Sequence, residues 1–151
     1  MRYAKLVFML LAPAVAIMAA DPGVGTWKLN LAKSKYKKGA SPKEATLTIS
    51  ESGSDADIAV KGTSATGAPI SIHYTAPANG GVCKIIEGPY DAVSVKRLNA
   101  NEDETSFSKG GKVVATTHGK VSKDGKTMTV ASKGTNAAGQ TVEGTSIYEK
   151  Q

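Results

Sequence analysis

Arg97 is the only arginine of this chain beyond Arg2, and it follows Val93 and Val95 at alternate positions. In an extended segment that spacing puts all three side chains on one face. A guanidinium at the edge of an apolar surface can hold a ligand carboxylate in a two-pronged pair. Buried and unpaired it would cost several kcal/mol, so it has to meet an anion, carbonyl oxygens or solvent. The same spacing also fits a strand that ends at Val95 and leaves Arg97 pointing outward at a rim. Tyr74, Tyr148 and Tyr90 are the aromatic hydroxyls able to share such a ligand, or to serve as core residues with one wet end. Arg97, Tyr74 and Tyr148 are thus the expected ligand-binding residues.

The remaining reactive side chains form no recognisable catalytic set. His73 and His118 are the only histidines. Alternation puts both on the polar face, and with Asp55 and Asp57 they fall short of a convergent metal-ligand geometry, so no metal is expected. Cys83 has no partner motif, and no Gly-x-Ser-x-Gly or Gly-rich phosphate loop is present. Glu102, Asp103 and Glu104 cluster where a hairpin tip is expected, with solvation as their ordinary state. No catalytic residue and no cofactor is assigned. The single cysteine forbids an intrachain disulfide, so stability rests on packing and strand pairing, with Cys83 buried and inert.

Residues 1–20 read as a secretory signal, with Arg2 and Lys5 before an uncharged stretch from Leu6 to Ala20 that is too short for a comfortable span, an uncleaved membrane anchor being the competing reading. Cleavage near Ala20 leaves one domain, 21–151, exported to a periplasm or to the medium, with no stable membrane insertion afterwards. Two of the 19 basic residues go with the signal, against 13 acidic ones, so the formal charge falls from +6 to about +4. The lysines are scattered and aromatics are few, which argues against nucleic acid. The run Lys33, Lys35, Lys37, Lys38 is expected to be a solvated loop.

From Val24 onward the chain alternates short runs of Thr, Val, Ile and Ser with Gly, Asn, Asp and Pro, the pattern of consecutive antiparallel strands. Ten are expected, near Thr26–Asn30, Ala45–Glu51, Asp57–Gly62, Ile70–Thr75, Val82–Glu87, Ala92–Leu98, Glu104–Ser108, Lys112–Ser122, Thr127–Thr135 and Thr141–Glu149. Lys123-Asp124-Gly125-Lys126 reads as a hairpin turn, and Lys61–Gly67 recurs as Lys133–Gly139 at two further tips. Alternation assembles one apolar wall from Trp27, Leu29, Leu47, Ile49, Ile58, Val60, Ile70, Ile72 and Tyr74. Val93, Val95, Arg97, Val113, Ala115, Met128, Val130, Val142 and Tyr148 continue it. A single apolar face per strand calls for two packed sheets or one sheet rolled on itself, and rolling removes the edges. An all-β, up-and-down antiparallel barrel is the expectation. Because many wall positions are Ala, Gly, Ser or Thr, its interior is expected to be incompletely filled.

Gly25-Thr26-Trp27-Lys28-Leu29 opens the first strand with a Gly-x-Trp, and there the chain resembles the calycins, the lipocalins and fatty-acid-binding proteins. That resemblance implies a lipocalin-like barrel of about 8–10 strands in which Trp27 closes one end, often against a basic residue from the last strand. The terminal Ile147-Tyr148-Glu149-Lys150 is similar to that family's final strand. The sequence departs from the pattern in having Ser146, not Arg, two residues before Tyr148, and no helical lid pair after the first strand. The expected function is non-catalytic binding of a small hydrophobic or amphiphilic ligand. Two alternatives stand beside it: a packed barrel acting through its surface as an interaction or inhibitor module, and an enzyme of unassigned chemistry. Nothing in the residues names a protein partner.

Overall fold

The computed structural model describes residues 21–38, 41–135 and 141–151; the expected signal segment and part of the second Lys-Gly-Thr tip lie outside them. The regular elements are strands: β1 (Gly25–Leu29), β2 (Lys35–Lys38), β3 (Glu44–Ser52), β4 (Asp55–Thr63), β5 (Pro69–Pro77), β6 (Gly81–Val82), β7 (Lys84–Glu87), β8 (Ala92–Asn99), β9 (Glu102–Lys109), β10 (Lys112–Val121), β11 (Thr127–Thr135) and β12 (Thr141–Lys150). Alternation produces them directly. In β4, for example, Ile58 and Val60 turn toward the core while Lys61 stays exposed. Hairpins form where glycine supplies a positive φ, at Gly53 (64°) between β3 and β4 and at Gly125 (72°) between β10 and β11.

All neighbouring strands pair antiparallel in the order β8-β9-β10-β11-β12-β1-β3-β4-β5, and the stretch 81–87 joins the two ends. That stretch changes partner at Cys83. Gly81 and Val82 face Val95 and Ser94 of β8, whereas Lys84 and Ile85 face Thr75 and Tyr74 of β5. The result is a nearly closed up-and-down barrel. β1 and β2 likewise share one edge of β12, with Leu29 opposite Tyr148 and Tyr36 opposite Gly144. Merging each of these pairs turns the 12 strands into ten staves, the number the alternation calls for.

Two expectations are corrected here. The Lys33–Lys38 run is not simply a loop: Lys35–Lys38 is strand β2. The edge of β12 beyond Tyr148 offers backbone groups that a Lys-Tyr-Lys alternation can take up, with Lys35 and Lys37 exposed and Tyr36 half-buried. The loop proper is Asn30–Ser34, pinned by the Asn30 N–H on the Ile147 carbonyl (2.8 Å) and by the Ile147 N–H on Ser34 Oγ (2.9 Å). Val113 does not join the apolar wall either. A bulge between Val113 and Ala115 turns it outward, 60% exposed, while Ala115 keeps its inward place. The side chain of Val142, also expected on the wall, lies outside the described residues.

The core divides in two. Trp27, Leu47, Val121 and Met128 form one cluster. Tyr74, Ala76, Cys83 and Val93 form the other, and Ile58 packs against both.

Candidate functional site

Between the two clusters the barrel holds a partly open cavity of about 1050 Å³, at the upper end of the ~300–1,000 Å³ common for small-molecule sites. Its walls differ in chemistry. β3, β4 and β5 present Leu47, Ile49, Ile58, Val60 and Ile72, whereas β9 to β12 intersperse Phe107, Val121, Met128, Val130 and Tyr148 with Thr105, Thr117, Ser132, Ser146, Ala115, Gly119 and Gly134. Thr105, Thr117 and Ser132 are direct neighbours across three strands, forming a ladder of hydroxyls. These short side chains leave the space open that Leu or Ile would fill. The cavity therefore owes its room to the small residues set between the bulky ones in the second half of the chain.

One end is closed around Trp27, which is wholly buried and donates its indole N–H to the Gly23 carbonyl at 2.8 Å. Lys150 of the last strand lies over the ring, its Nζ 5.1 Å from the centroid. Gly25, at φ +144°, leaves the room that the Lys150 stem crosses. The chain thus places a basic residue of β12 on the tryptophan, two positions after Tyr148 and not two before it.

Arg97 lies on the cavity side of β8, at the same end. Its charge is already engaged. Nη2 donates to Asp21 Oδ2 at 2.7 Å and to the Ala100 carbonyl at 3.0 Å, and Nε donates to the Asn99 carbonyl at 3.1 Å. Asp21 is presented by a short turn in which the Gly23 N–H binds Asp21 Oδ1 and the Val24 N–H binds the Asp21 carbonyl. The segment Asp21–Val24 lies across the barrel end and contributes to the cavity lining.

Opposite Arg97 in the β8–β9 ladder stands Asp103. The expectation of a solvated acidic tip is corrected for this residue: Glu102 to Glu104 begin β9, and Asp103 faces the cavity. Its carboxylate lies over Gly119, with Oδ1 3.1 Å from where a β-carbon would stand. Burial pushes its pKa up; Arg97 pulls it down, and Asp21 pushes it up.

Tyr74 is buried and lines the cavity, edge-on to Phe107 with ring centroids 6.1 Å apart. Burial raises its pKa, Cys83 and Asp103 add to the rise, and the Thr105 hydroxyl beside it lowers it. Tyr90 stacks at a tilt on Phe107 at 4.8 Å. Tyr148 lines the first cluster, its phenol pushed up to about 12 by burial and by Tyr36. The cavity brings together Arg97, Tyr74 and Tyr148, and Trp27 stands beneath it.

The other reactive groups sit elsewhere. His73 binds Asp57 at 2.8 Å and His118 binds Glu102 at 3.0 Å, each pair on the outer face. Burial raises the Cys83 thiol, the opposite of what activates a nucleophile. Among the described residues no group of three or more His, Cys, Asp or Glu could hold a metal. A depression of about 500 Å³ on the outer face of β9 to β12, lined by residues such as His118, Lys133 and Glu143, presents no large aliphatic side chain.

Asp21, Asp103 and the hydroxyl ladder were not marked in advance. For Asp103 the signal was present, since Asp103, Thr105 and Phe107 alternate as one inward row. Asp21 gave none, because its role depends on where the segment Asp21–Val24 meets β8.

No family model and no curated protein matches the chain. Among solved structures it is similar to a redesigned β-barrel, mFAP1, bound to DFHBI, at 16% identity and a TM-score of 0.44 over 87% of this chain and 98% of that one. It is also similar to a de novo designed fluorescence-activating β-barrel, at 17% identity and a TM-score of 0.41 over 88% of this chain and 97% of that one.

Proposed function

We propose that the protein is an exported, calycin-like barrel that binds and carries a small apolar or amphiphilic molecule in its interior without transforming it. The observation that carries the reading is the cavity of about 1050 Å³, largely apolar and with hydroxyls added from β9–β12. Affinity would come mainly from apolar area removed from water, roughly 25 cal/mol per Å², with the hydroxyls orienting the polar end. Export rests on the composition of residues 1–20. The cavity also weighs against a barrel packed to its axis and acting through its surface alone.

Uptake of N-phenyl-1-naphthylamine, followed by its fluorescence, tests the proposal. The protein should bind the probe, and Ser132→Phe, which projects a ring into the cavity from β11, should weaken the uptake while circular dichroism stays that of a β-barrel. Uptake unmoved by Ser132→Phe, or failure to take up apolar probes of several classes, would overturn it.

A further inference from the structure

The sequence points to Arg97 as the anchor for a ligand acid, but the structure neutralises that arginine internally. Asp21 and two carbonyls occupy its donors. Lys120, the other cation at this end of the lining, is paired with Glu102 at 3.4 Å. What remains at this end of the cavity is acidic, Lys133 lying toward the far end of β11. The Asp103 carboxylate stands opposite Arg97, which acts on it through space, but it has no hydrogen bond or ion pair of its own among the described residues, and Glu51 and Asp55 add negative charge at the rim. Tyr74 and Thr105, whose hydroxyls are neighbours, line the same cavity as Asp103, which acts on the Tyr74 phenol.

Resting on the carrier reading, we propose that the cavity selects amphiphiles with a cationic or hydrogen-bond-donating head, such as a primary ammonium, and disfavours carboxylates. The head group meets the Asp103 carboxylate with the Tyr74 and Thr105 oxygens beside it. Its apolar tail runs along Leu47, Ile58 and Val60. An ammonium has three donors and no acceptor, matching a set of acceptor oxygens. A carboxylate would meet Asp103 as a like charge and would have to displace Asp21 from Arg97.

The raised pKa of Asp103 agrees with this, since a bound cation would relieve the desolvation of its ionised form.

The experiment is displacement of bound N-phenyl-1-naphthylamine by dodecylamine, dodecanol and dodecanoic acid at neutral pH, each below its micellar concentration. Dodecylamine should displace the probe at about a tenth of the concentration dodecanol needs, as one charge-assisted hydrogen bond implies, with dodecanoic acid the weakest. Asp103→Asn should bring the amine-to-alcohol ratio from about ten to about one. Asp21→Asn, by releasing Arg97, should raise dodecanoic acid above dodecanol. Dodecanoic acid as the best competitor for the unaltered protein, or a ratio unmoved by Asp103→Asn, overturns the inference while the carrier reading stands. Failure of the probe and of all three chains to bind removes both.

Discussion

Lys150 Nζ stands 5.1 Å from the centroid of the Trp27 ring, and the two residues face each other directly across the β1–β12 ladder. First and last strands are thereby joined twice, by backbone pairing and by a side chain laid across the closed end. Trp27 is the only tryptophan. Trp27→Ala should cost about 3–5 kcal/mol of stability through the cavity it leaves. Lys150→Ala should cost only about 0.5–1 kcal/mol, the worth of an exposed cation–π contact. Urea unfolding followed by far-ultraviolet circular dichroism separates the two, and equal losses would mean that the indole is not the anchor of this end.

The Arg97–Asp21 pair is about one-third exposed on both sides, 32% and 35%, so its strength is limited by solvent. A double-mutant cycle of Arg97→Ala and Asp21→Ala should return a coupling of about 0.5–1 kcal/mol. Falling off with added salt would mark it as ionic. A coupling near zero would mean that the segment Asp21–Val24 is held by Trp27 and Lys150 without the ion pair.

Asp103 makes a pH-dependent contribution of the less common sign. Its folded-state pKa is raised, first by burial, so within the window between the unfolded and folded values the native state holds more protons than the unfolded one. Stability contributed by this residue is therefore greatest below the unfolded value and falls as pH rises through the window. Asp103→Asn should raise the melting temperature at neutral pH and give no gain at about pH 3, where the carboxyl is protonated in both states. A stabilisation that persists unchanged into acid would refute the assignment.

Glycines of the wall are not equivalent. A β-carbon at Gly134, φ +149°, would stand 2.5 Å from the Ala115 Cα, and the neighbour is backbone that cannot give way. At Gly53, φ +64°, a β-carbon would meet nothing within 4 Å. Gly134→Ala should lose about 2–3 kcal/mol by overpacking, and Gly53→Ala about 1 kcal/mol from its left-handed backbone alone. Urea midpoints measure both, and a milder loss at Gly134 would mean that β10 and β11 separate easily there.

The strand pattern was legible because its causes are local. Alternation of Ile58 with Val60, or of Met128 with Val130, selects a face whatever the neighbouring strand is, and Gly125 needs only its own backbone to make a turn. The half-empty interior was legible for a related reason: Ser132, Ser146 and Gly119 occupy inward positions by parity, and small side chains leave space in any barrel. Trp27 at the closed end was readable from Gly25-Thr26-Trp27, although its basic partner came from an unexpected position of β12.

Three features depended on tertiary structure. The bulge at Val114 reversed Val113, because register between β9 and β10 is a property of the pair and not of either strand. Strand β2 formed where a loop was expected, because β12 runs longer than β1 and its free edge needs a partner. The sign of the site was decided between distant segments: Arg97 alone suggested an anion receptor, but Asp21, far away in the chain, takes its charge and leaves Asp103 to face the cavity. By itself the sequence determined which side chains turn inward and how much room they leave. Only the fold decided which charges cancel, because cancellation depends on distances of a few ångströms between residues that sequence does not place together.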